Sequence, residues 1–288
     1  MPSLIDFRRR IRSVKNTQQI TKAMKMVSAA KLRRAQERVI AARPYAQTMR
    51  QMLANLVVAA AGDENAADSP WLAKREVKRI DLIFLSSDTG LAGAFNSNLL
   101  KAAQKFHGDN PAAQITLTLV GRKGRDFYRK RESNILQDFI NLLNRPTFLD
   151  AATIAKEVIE RYRKGETDAV YLLNNEFKSV MSQKVTVMQL LPLEIAAGDQ
   201  AAQLDYIYEQ SPVEMLERLL PRYVEVAVFR AMLETVASYQ AARMTAMDTA
   251  STNAKEVIEA VTLRMNRVRQ AAITKEIIEV VSGAAAAE

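Results

Sequence analysis

The stretch Ser86–Asn96 has the composition of a loop that could bind phosphate. It places two glycines, Gly90 and Gly93, between a predicted strand and a predicted helix. In α/β folds, loops at this position bind phosphate groups. However, this loop lacks G-x-G-x-x-G, and no G-x-x-x-x-G-K-[ST] occurs in the chain, so no lysine is placed for a terminal phosphate. The pattern therefore favours a structural turn over a ligand site.

The residue types that serve most often in metal sites and nucleophilic catalysis are scarce. The chain contains no cysteine and one histidine, His107. This composition excludes disulfide bonds, cysteine-bound zinc, iron–sulfur clusters and histidine-cluster metal sites. His107 lies where a predicted helix ends, which favours a capping or surface role, and the acidic residues form no pair that the sequence places in one pocket. We therefore expect no catalytic, metal or cofactor-binding site on this chain.

Length and composition are typical of a folded protein of one or two domains. The chain has 288 residues, of which 48% are apolar and 25% charged. It has no run of about 18 uncharged apolar residues that would span a membrane. The arginines near its N-terminus are not followed by the apolar region of a secretory signal. We expect a location in the cytosol or on the cytosolic face of a membrane.

Glycine and charge divide the chain into three segments. None of the nine glycines lies in residues 1–61 or 199–282, so the middle holds nearly all of the turns. Residues 1–60 carry 13 lysines and arginines against 2 acidic residues, whereas the rest of the chain is close to neutral. We predict an N-terminal coiled-coil helix over 1–61, a central α/β domain over 62–208 and a C-terminal coiled-coil helix over 209–288.

The first segment has the heptad spacing of a coiled coil. Ser3 and Asp6 form a predicted capping box at its start, and Pro44 is expected to kink the helix. The predicted seam, the line of residues that faces the partner helix, consists of Leu4, Phe7, Ile11, Val14, Gln18, Thr21, Lys25, Ser28, Leu32, Ala35, Val39, Ala42, Ala46, Met49, Leu53, Leu56 and Ala60.

The seam becomes polar between Gln18 and Ser28. Apolar residues move there to other faces of the helix, at Ile20, Ala23, Met24, Met26 and Val27. A second partner surface would explain this shift, and so would a local defect in a coiled coil. The pattern alone leaves both interpretations open.

The last segment predicts a second long helix. Ser211, Pro212 and Glu214 supply a capping residue, a first-turn proline and a capping-box acid, and Pro221 is expected to bend the first turns. The predicted seam consists of Val226, Phe229, Leu233, Val236, Gln240, Met244, Met247, Ser251, Ala254, Ile258, Val261, Met265, Val268 and Ala272. One stutter, at Gln240–Met247, interrupts its spacing.

Two such helices on either side of a compact middle can pair as an antiparallel coiled coil. If both begin level with the middle domain, Leu4 lies opposite Val268 and the C-terminal helix extends beyond its partner. The overhanging tip contains Ile273, Ile277, Ile278, Val280 and Val281. An apolar tip of this kind predicts an apolar socket on another protein. Fraying or folding back of the tip is the alternative.

Strands and helices alternate in the middle segment. We predict strands at 80–85, 115–120, 134–140, 168–174, 183–191 and 204–208, helices at 94–107, 122–131 and 150–164, and a linker at 62–76. The alternation favours a mainly parallel sheet covered by helices. The fold class is therefore α/β, with a central, mainly parallel sheet domain flanked by long terminal helices that form an antiparallel coiled coil.

The basic first helix also allows a nucleic-acid-binding arm. Eleven lysines and arginines between Arg8 and Arg38 could follow a phosphate backbone. Residues 8–44 nevertheless contain no aromatic residue that could stack on bases, and the charge lies on several faces. A helix surrounded by acidic protein surfaces would carry the same distribution. A nucleotide-binding α/β enzyme with coiled-coil arms is the other alternative.

Four stretches near the two ends of the chain form recognisable motifs: the run from Asn16 to Lys31 (NTQQITKAMKMVSAAK), Arg43-Pro44-Tyr45, Arg243–Met247, and the run from Arg267 to Ala284. Together they resemble the gamma subunit of bacterial F-type ATP synthases. In the central loop the family usually has S-D-R-G-L-C-G-G, whereas this chain has Ser87-Asp88-Thr89-Gly90-Leu91-Ala92-Gly93-Ala94. The paired cysteines of chloroplast-type subunits are absent.

The resemblance implies a non-catalytic rotor shaft. Such a shaft stands in single copy inside a hexamer of three alpha and three beta subunits, and it rests, with epsilon, on a ring of c subunits at the cytoplasmic face of the bacterial inner membrane. It has no cofactor, no nucleic-acid partner and no membrane span of its own. It couples proton-driven (or sodium-driven) rotation to the catalytic beta subunits.

The resemblance also implies which residues meet the partners. The hexamer interface would include Lys22, Met24, Lys25, Met26, Arg243, Gln270 and Thr274. The apolar bearing tip would be Ile273, Ile277, Ile278, Val280 and Val281.

Overall fold

The computed structural model describes residues 3–60, 71, 75–131, 133–193 and 210–285. Two long helices, α1 (Leu4–Ala60) and α5 (Pro212–Ala285), contribute to both of its compact units. The hairpin unit comprises Met1–Ser28 and Arg243–Glu288, and the sheet unit comprises Ala29–Ala242. The predicted strand at 204–208 and most of the predicted linker at 62–76 lie outside the described residues. The three predicted domain boundaries therefore stay predictions.

The sheet unit contains a five-stranded sheet in the order β3-β2-β1-β4-β5. Its strands are β1 (Arg79–Leu85), β2 (Gln114–Val120), β3 (Ile135–Phe139), β4 (Ala169–Phe177) and β5 (Gln183–Leu191). The first four are parallel, and β5 pairs antiparallel with β4. The central strands β1 and β2 are buried at all but their first residue, which is why they appear in the sequence as continuous apolar runs. The predicted mainly parallel α/β sheet is confirmed.

Helices cover both faces of this sheet. They are α2 (Phe95–Asp109), α3 (Arg122–Arg129) and α4 (Phe148–Arg163). One core packs α4 and α5 against one face, around Tyr162 and Val224, and the other packs α2 around Leu99. A capping box at Thr147 and Asp150 begins α4. A short 3-10 turn, Leu142–Asn144, precedes α4 and was not predicted.

Two buried carboxylates make hydrogen bonds and ion pairs near the amino ends of strands β1 and β4. Asp168 accepts hydrogen bonds from the backbone N–H groups of Lys78 and Arg79, at 3.1 and 2.9 Å, and from the Arg79 guanidinium. Burial alone would raise the pKa of Asp168, but these hydrogen bonds outweigh it and lower the pKa below its usual value. Asp81, which pairs with Arg161 at 2.9 Å, has a raised pKa because its burial outweighs the ion pair.

Gly121 lets the end of β2 pass close to the end of β1. Its φ is +97°, and a Cβ at this position would lie 2.3 Å from the backbone oxygen of Ser86. Only glycine fits such a conformation and such an approach. The turn into α3 therefore depends on this residue.

The hairpin unit is an antiparallel helix pair. The Gln18 side-chain amide donates to the carbonyl oxygen of Ser251 at 3.4 Å, and Lys25 pairs with Asp248 at 2.6 Å. Both contacts lie within one turn of the register in which Leu4 opposes Val268. Every residue predicted for the two seams, within the hairpin unit and the sheet unit alike, is buried or half-buried, including the polar Thr21 and Ser28.

Both helices begin as predicted. At the start of α1, the Asp6 carboxylate accepts a hydrogen bond from the backbone N–H of Ser3, and the Ser3 hydroxyl oxygen accepts one from the backbone N–H of Asp6. At the start of α5, the Ser211 hydroxyl oxygen accepts a hydrogen bond from the backbone N–H of Glu214. Pro44 and Pro221 lie inside helices that continue through them. In the part of the chain that the structure describes, no helix is long and apolar enough to cross a membrane.

Candidate functional site: the exposed surfaces of the hairpin unit

An apolar stripe lies on α1 away from the seam. Ile20, Ala23, Met24 and Val27 follow the i, i+3, i+4, i+7 spacing that places residues on one helix face. Ile20 is 60% exposed and Val27 is 55% exposed, while Met24 is half-buried. Met26, 61% exposed, adds apolar surface on another side. An uncovered apolar face in the middle of a helix is typical of a partner contact rather than of a coiled-coil defect.

Charged residues lie near this stripe along the chain but on other sides of the hairpin. Lys22 is exposed, and Lys25 extends from the seam to Asp248 across the hairpin. The side chains of Lys25 and Asp248 are 40% and 55% exposed, so their ion pair adds little stability. Arg243 is half-buried on α5. Lys22 thus adds positive charge on another side of α1 from the stripe, and the charge of Lys25 is paired with Asp248.

The end of α5 forms a second surface. From Ile273 to Ser282 every residue is exposed. The apolar side chains there are among the most exposed in the described chain: Ile273 48%, Ile277 58%, Ile278 58%, Val280 72% and Val281 62%. The predicted overhang is thus present as a helical continuation of α5, which runs without interruption to Ala285. No residue of the described chain covers this apolar tip.

The predicted interface residues fall on two separate surfaces. Gln270 and Thr274 are both exposed and one turn apart, and the Thr274 hydroxyl donates to the carbonyl oxygen of Gln270 at 3.0 Å. Gln270 lies about 33 Å along α5 from Asp248 at a rise of about 1.5 Å per residue. The structure therefore groups Gln270 and Thr274 with the apolar tip. Of the α1 residues, Met24 lies in the apolar stripe, whereas Lys22, Lys25 and Met26 lie on other sides of the helix at the same level.

The polar groups of the loop after β1 are hydrogen-bonded within the fold. Ser87 donates its backbone N–H to the Asn96 side-chain oxygen at 3.1 Å, and the Asp88 carboxylate accepts from the backbone N–H groups of Arg122 and Asn141. The adjacent cavity measures only about 30 Å³. A carboxylate at its centre and so little space disfavour a phosphate ligand. The geometry agrees with the predicted structural turn.

The described residues give little support to a metal site or to catalysis by His107. They contain no group of three or more His, Cys, Asp or Glu that could hold a metal ion. His107 lies in the last turn of α2, where its carbonyl oxygen accepts from the Asn110 backbone N–H, and burial lowers the pKa of its imidazole. A backbone carbonyl of any residue could accept this bond, and the buried imidazole Nε2 has no hydrogen-bond partner in the described chain, so a capping role of the side chain stays a prediction.

The sequence did not reveal a basic cleft in the sheet unit. Arg145, just after the 3-10 turn, lines it together with Lys31, Arg34 and Arg38 of α1. Arg145 lies more than 100 positions away from the α1 residues along the chain, and no motif links them. One sequence feature could have indicated this cleft, namely Gln240, a polar residue at the stutter of the α5 seam.

Comparison with known proteins gives a consistent result along the whole chain. The family described as ATP synthase matches residues 3–287. A curated ATP synthase gamma chain of Solibacter usitatus is 60% identical over 288 residues and is covered completely, as is this chain. The ATP synthase gamma chain of Desulfitobacterium hafniense is 50% identical, also with complete coverage of both chains.

Solved structures share the fold. A chain of the central stalk and c-ring structure of Tetrahymena thermophila mitochondrial ATP synthase is 27% identical, with a TM-score of 0.59 over 81% of this chain and 99% of that one. A chain of Euglena gracilis mitochondrial ATP synthase, in a structure with OSCP, F1 and c-ring, has a TM-score of 0.70 over 98% and 94% at 24% identity. The latter similarity concerns the fold alone.

Proposed function

The chain belongs to the ATP synthase gamma chain family, and from this membership we propose that it is the central rotor shaft of a bacterial F-type ATP synthase. The observation that carries this function is the full-length match to a gamma chain at 60% identity. Gamma chains are not the catalytic subunits, since ATP is made on beta. This agrees with the loop after β1, whose polar groups are hydrogen-bonded within the fold and leave a cavity of only about 30 Å³.

The helix pair supplies what a shaft requires. Two helices packed along a continuous seam resist bending and twisting better than one helix does, because each turn is fixed against a partner. An asymmetric surface around such a pair presents different faces to each surrounding subunit as it turns. Rotation driven by a membrane ring would in this way push each beta subunit in turn through states of different nucleotide affinity.

We assign the apolar stripe and the apolar tip to different tasks. The stripe, which includes Met24, would contact the alpha and beta subunits, and so would Met26, Lys22 and Lys25 on the other sides of the same turns. Arg243 would belong to the same contact. The tip, from Gln270 through Val281, would turn inside an apolar socket at the far end of the hexamer. Screened attraction between exposed charges permits sliding, which a large apolar contact at the stripe would hinder.

The remaining partners follow from the same assignment. The central α/β domain, residues 62–208, would rest with epsilon on the ring of c subunits, while residues 1–61 and 209–288 would form the shaft. One copy would serve three alpha and three beta subunits. The complex would lie on the cytoplasmic face of the bacterial plasma membrane and would use a proton or sodium gradient.

Recovery of partners from native membranes tests this function. The chain carries an affinity tag, and the co-purified proteins are identified by mass spectrometry after mild detergent extraction. We expect alpha, beta and epsilon subunits in amounts that fit three, three and one, together with ATPase activity. Recovery of the chain alone, or with RNA that is released by salt, would contradict the rotor assignment and favour the nucleic-acid alternative.

A further inference from the structure

A basic cleft lies in the sheet unit between α1, α5 and the segment that follows the 3-10 turn. Its volume is about 470 Å³, within the range of small-molecule sites. Three cationic side chains come from α1, namely Lys31, Arg34 and Arg38, and Arg145 comes from the opposite wall. These residues are separate from both surfaces of the hairpin unit described above.

The charge in this cleft is not balanced by the fold. Among the residues that the structure describes, no aspartate or glutamate lines the cleft. Arg38 is held in place, because its guanidinium donates to the carbonyl oxygen of Pro146. By contrast, the neighbouring Arg33 lies outside the cleft and pairs with Glu37. Four cations around one cavity repel one another, and a bound anion would relieve that repulsion.

One neutral side chain indicates which anion fits. Gln240 lines the cleft and is 8% exposed, and its buried side-chain oxygen has no hydrogen-bond partner in the described chain. A buried acceptor without a donor is costly, so it favours a ligand that brings a donor to this position. The fully buried Thr235, whose hydroxyl also lacks a partner in the described chain, lines the small adjoining cavity.

We propose that this cleft binds inorganic phosphate as the hydrogen phosphate ion, which keeps an O–H at neutral pH. The terminal phosphate of a nucleotide, with a second pKa of about 6, largely does not. The charged oxygens of the hydrogen phosphate ion would accept charge-assisted hydrogen bonds from Arg34, Arg38 and Arg145. Its P–O–H would donate to the oxygen of Gln240. Sulfate has the same size and shape but carries no O–H at neutral pH, so it would leave that acceptor unsatisfied.

Residue-specific labelling tests the site without interference from other phosphate sites. The full-length tagged chain is purified from its native membranes with whatever subunits it retains. Acetylation of Lys31 by dilute acetic anhydride is then followed by mass spectrometry, with Lys22 as the internal control because it is exposed outside the cleft. Inorganic phosphate, ADP and sulfate are compared at equal ionic strength.

We expect phosphate at about nine times its Kd to slow the labelling of Lys31 about tenfold and to leave Lys22 unchanged. Protection by ADP at lower concentrations than phosphate would overturn the proposal, since the terminal phosphate of ADP largely lacks the O–H that Gln240 requires. Equal protection by sulfate, or none by phosphate, would also overturn it. Resistance of Lys31 to labelling without any anion would also overturn it, since a protein partner would then occupy the cleft.

Variants separate the named contacts. Arg38→Gln should weaken phosphate protection of Lys31 at least about fivefold, while the matched Arg33→Gln, outside the cleft, should not change it. Gln240→Leu keeps a similar side-chain volume and should remove the preference for phosphate over sulfate. An unchanged preference in that variant would contradict the role of the buried amide, and unchanged affinity in Arg38→Gln would contradict the site.

Discussion

The apolar tip of α5 provides the sharpest quantitative prediction. Ile277→Ser combined with Ile278→Ser removes two side chains that are each 58% exposed in the free chain. Complete burial of an isoleucine side chain contributes about 1.5–3 kcal/mol, so covering the exposed part of each would contribute about 1–2 kcal/mol. The pair should therefore weaken binding to the socket by about 2–3.5 kcal/mol, or about 30- to 300-fold.

The same change should hardly affect folding. Both side chains lie in water before assembly, and exposed substitutions usually alter stability by no more than about 0.5 kcal/mol. The matched control is Lys275→Ser with Glu279→Ser, which places two serines in the same turns. It removes only an exposed ion pair at 3.4 Å.

Reconstitution measures this prediction. The free chain is titrated into alpha and beta subunits, and the concentration that gives half-maximal assembly is read from native mass spectra. Thermal unfolding of the free chain is recorded alongside. Equal half-assembly concentrations for the isoleucine variant and the wild type would refute a socket for the tip. A fall in melting temperature that accounts for the assembly defect would refute the reasoning from exposure.

Three further predictions address the stripe and the sheet unit. Met24→Lys adds a charge to the apolar stripe and should reduce the number of ions pumped per ATP hydrolysed in membrane vesicles, whereas Gln19→Lys, exposed outside the stripe, should not. Asp168→Asn should destabilise the fold by about 2 kcal/mol at pH 7 in urea unfolding. Because hydrogen bonds lower the pKa of Asp168 below 3.8, this difference should be complete above about pH 5 and disappear as pH falls through that pKa. Gly121→Ala should cost about 2–3 kcal/mol in the same assay, since its Cβ would meet the Ser86 oxygen, while Gly108→Ala, with open space around it, should not destabilise.

Each of these predictions has an outcome that would contradict it. An unchanged ratio of ion pumping to hydrolysis in Met24→Lys would remove the stripe from the coupling surface. A stability difference for Asp168→Asn that does not shrink as the pH falls below about 3.8 would show that the ionised carboxylate is not what stabilises the strand ends. A harmless Gly121→Ala would mean that the turn into α3 can move away from β1.

Much of the fold follows from local patterns in the sequence. The strand over 183–191 is predicted with both of its ends, and β1 and β2 are recognisable because their apolar runs are buried on both faces. The seam is predictable even where Thr21 and Ser28 make it polar, since heptad spacing depends on position and not on residue type alone. The overhang follows from counting residues along two paired helices.

What escaped prediction depends on contacts between distant segments. Asp168 meets Arg79 across 89 positions of sequence, and Arg145 reaches the cleft beside α1 from a turn without regular periodicity. The capping box at Thr147 and Asp150 could have been recognised from its spacing. Which protein covers the apolar stripe is not encoded in any local pattern, and it was proposed only from the family resemblance.

Rotation of this chain against its surrounding hexamer is the most direct test of the account. The chain has no cysteine, so Met181→Cys, at a position 84% exposed between β4 and β5, provides a unique attachment point for a fluorescent or gold probe. With the alpha and beta subunits immobilised, the account predicts stepwise rotation in one direction that starts with ATP and stops without it. ATP hydrolysis with a stationary probe would contradict the central claim that this chain is the rotor.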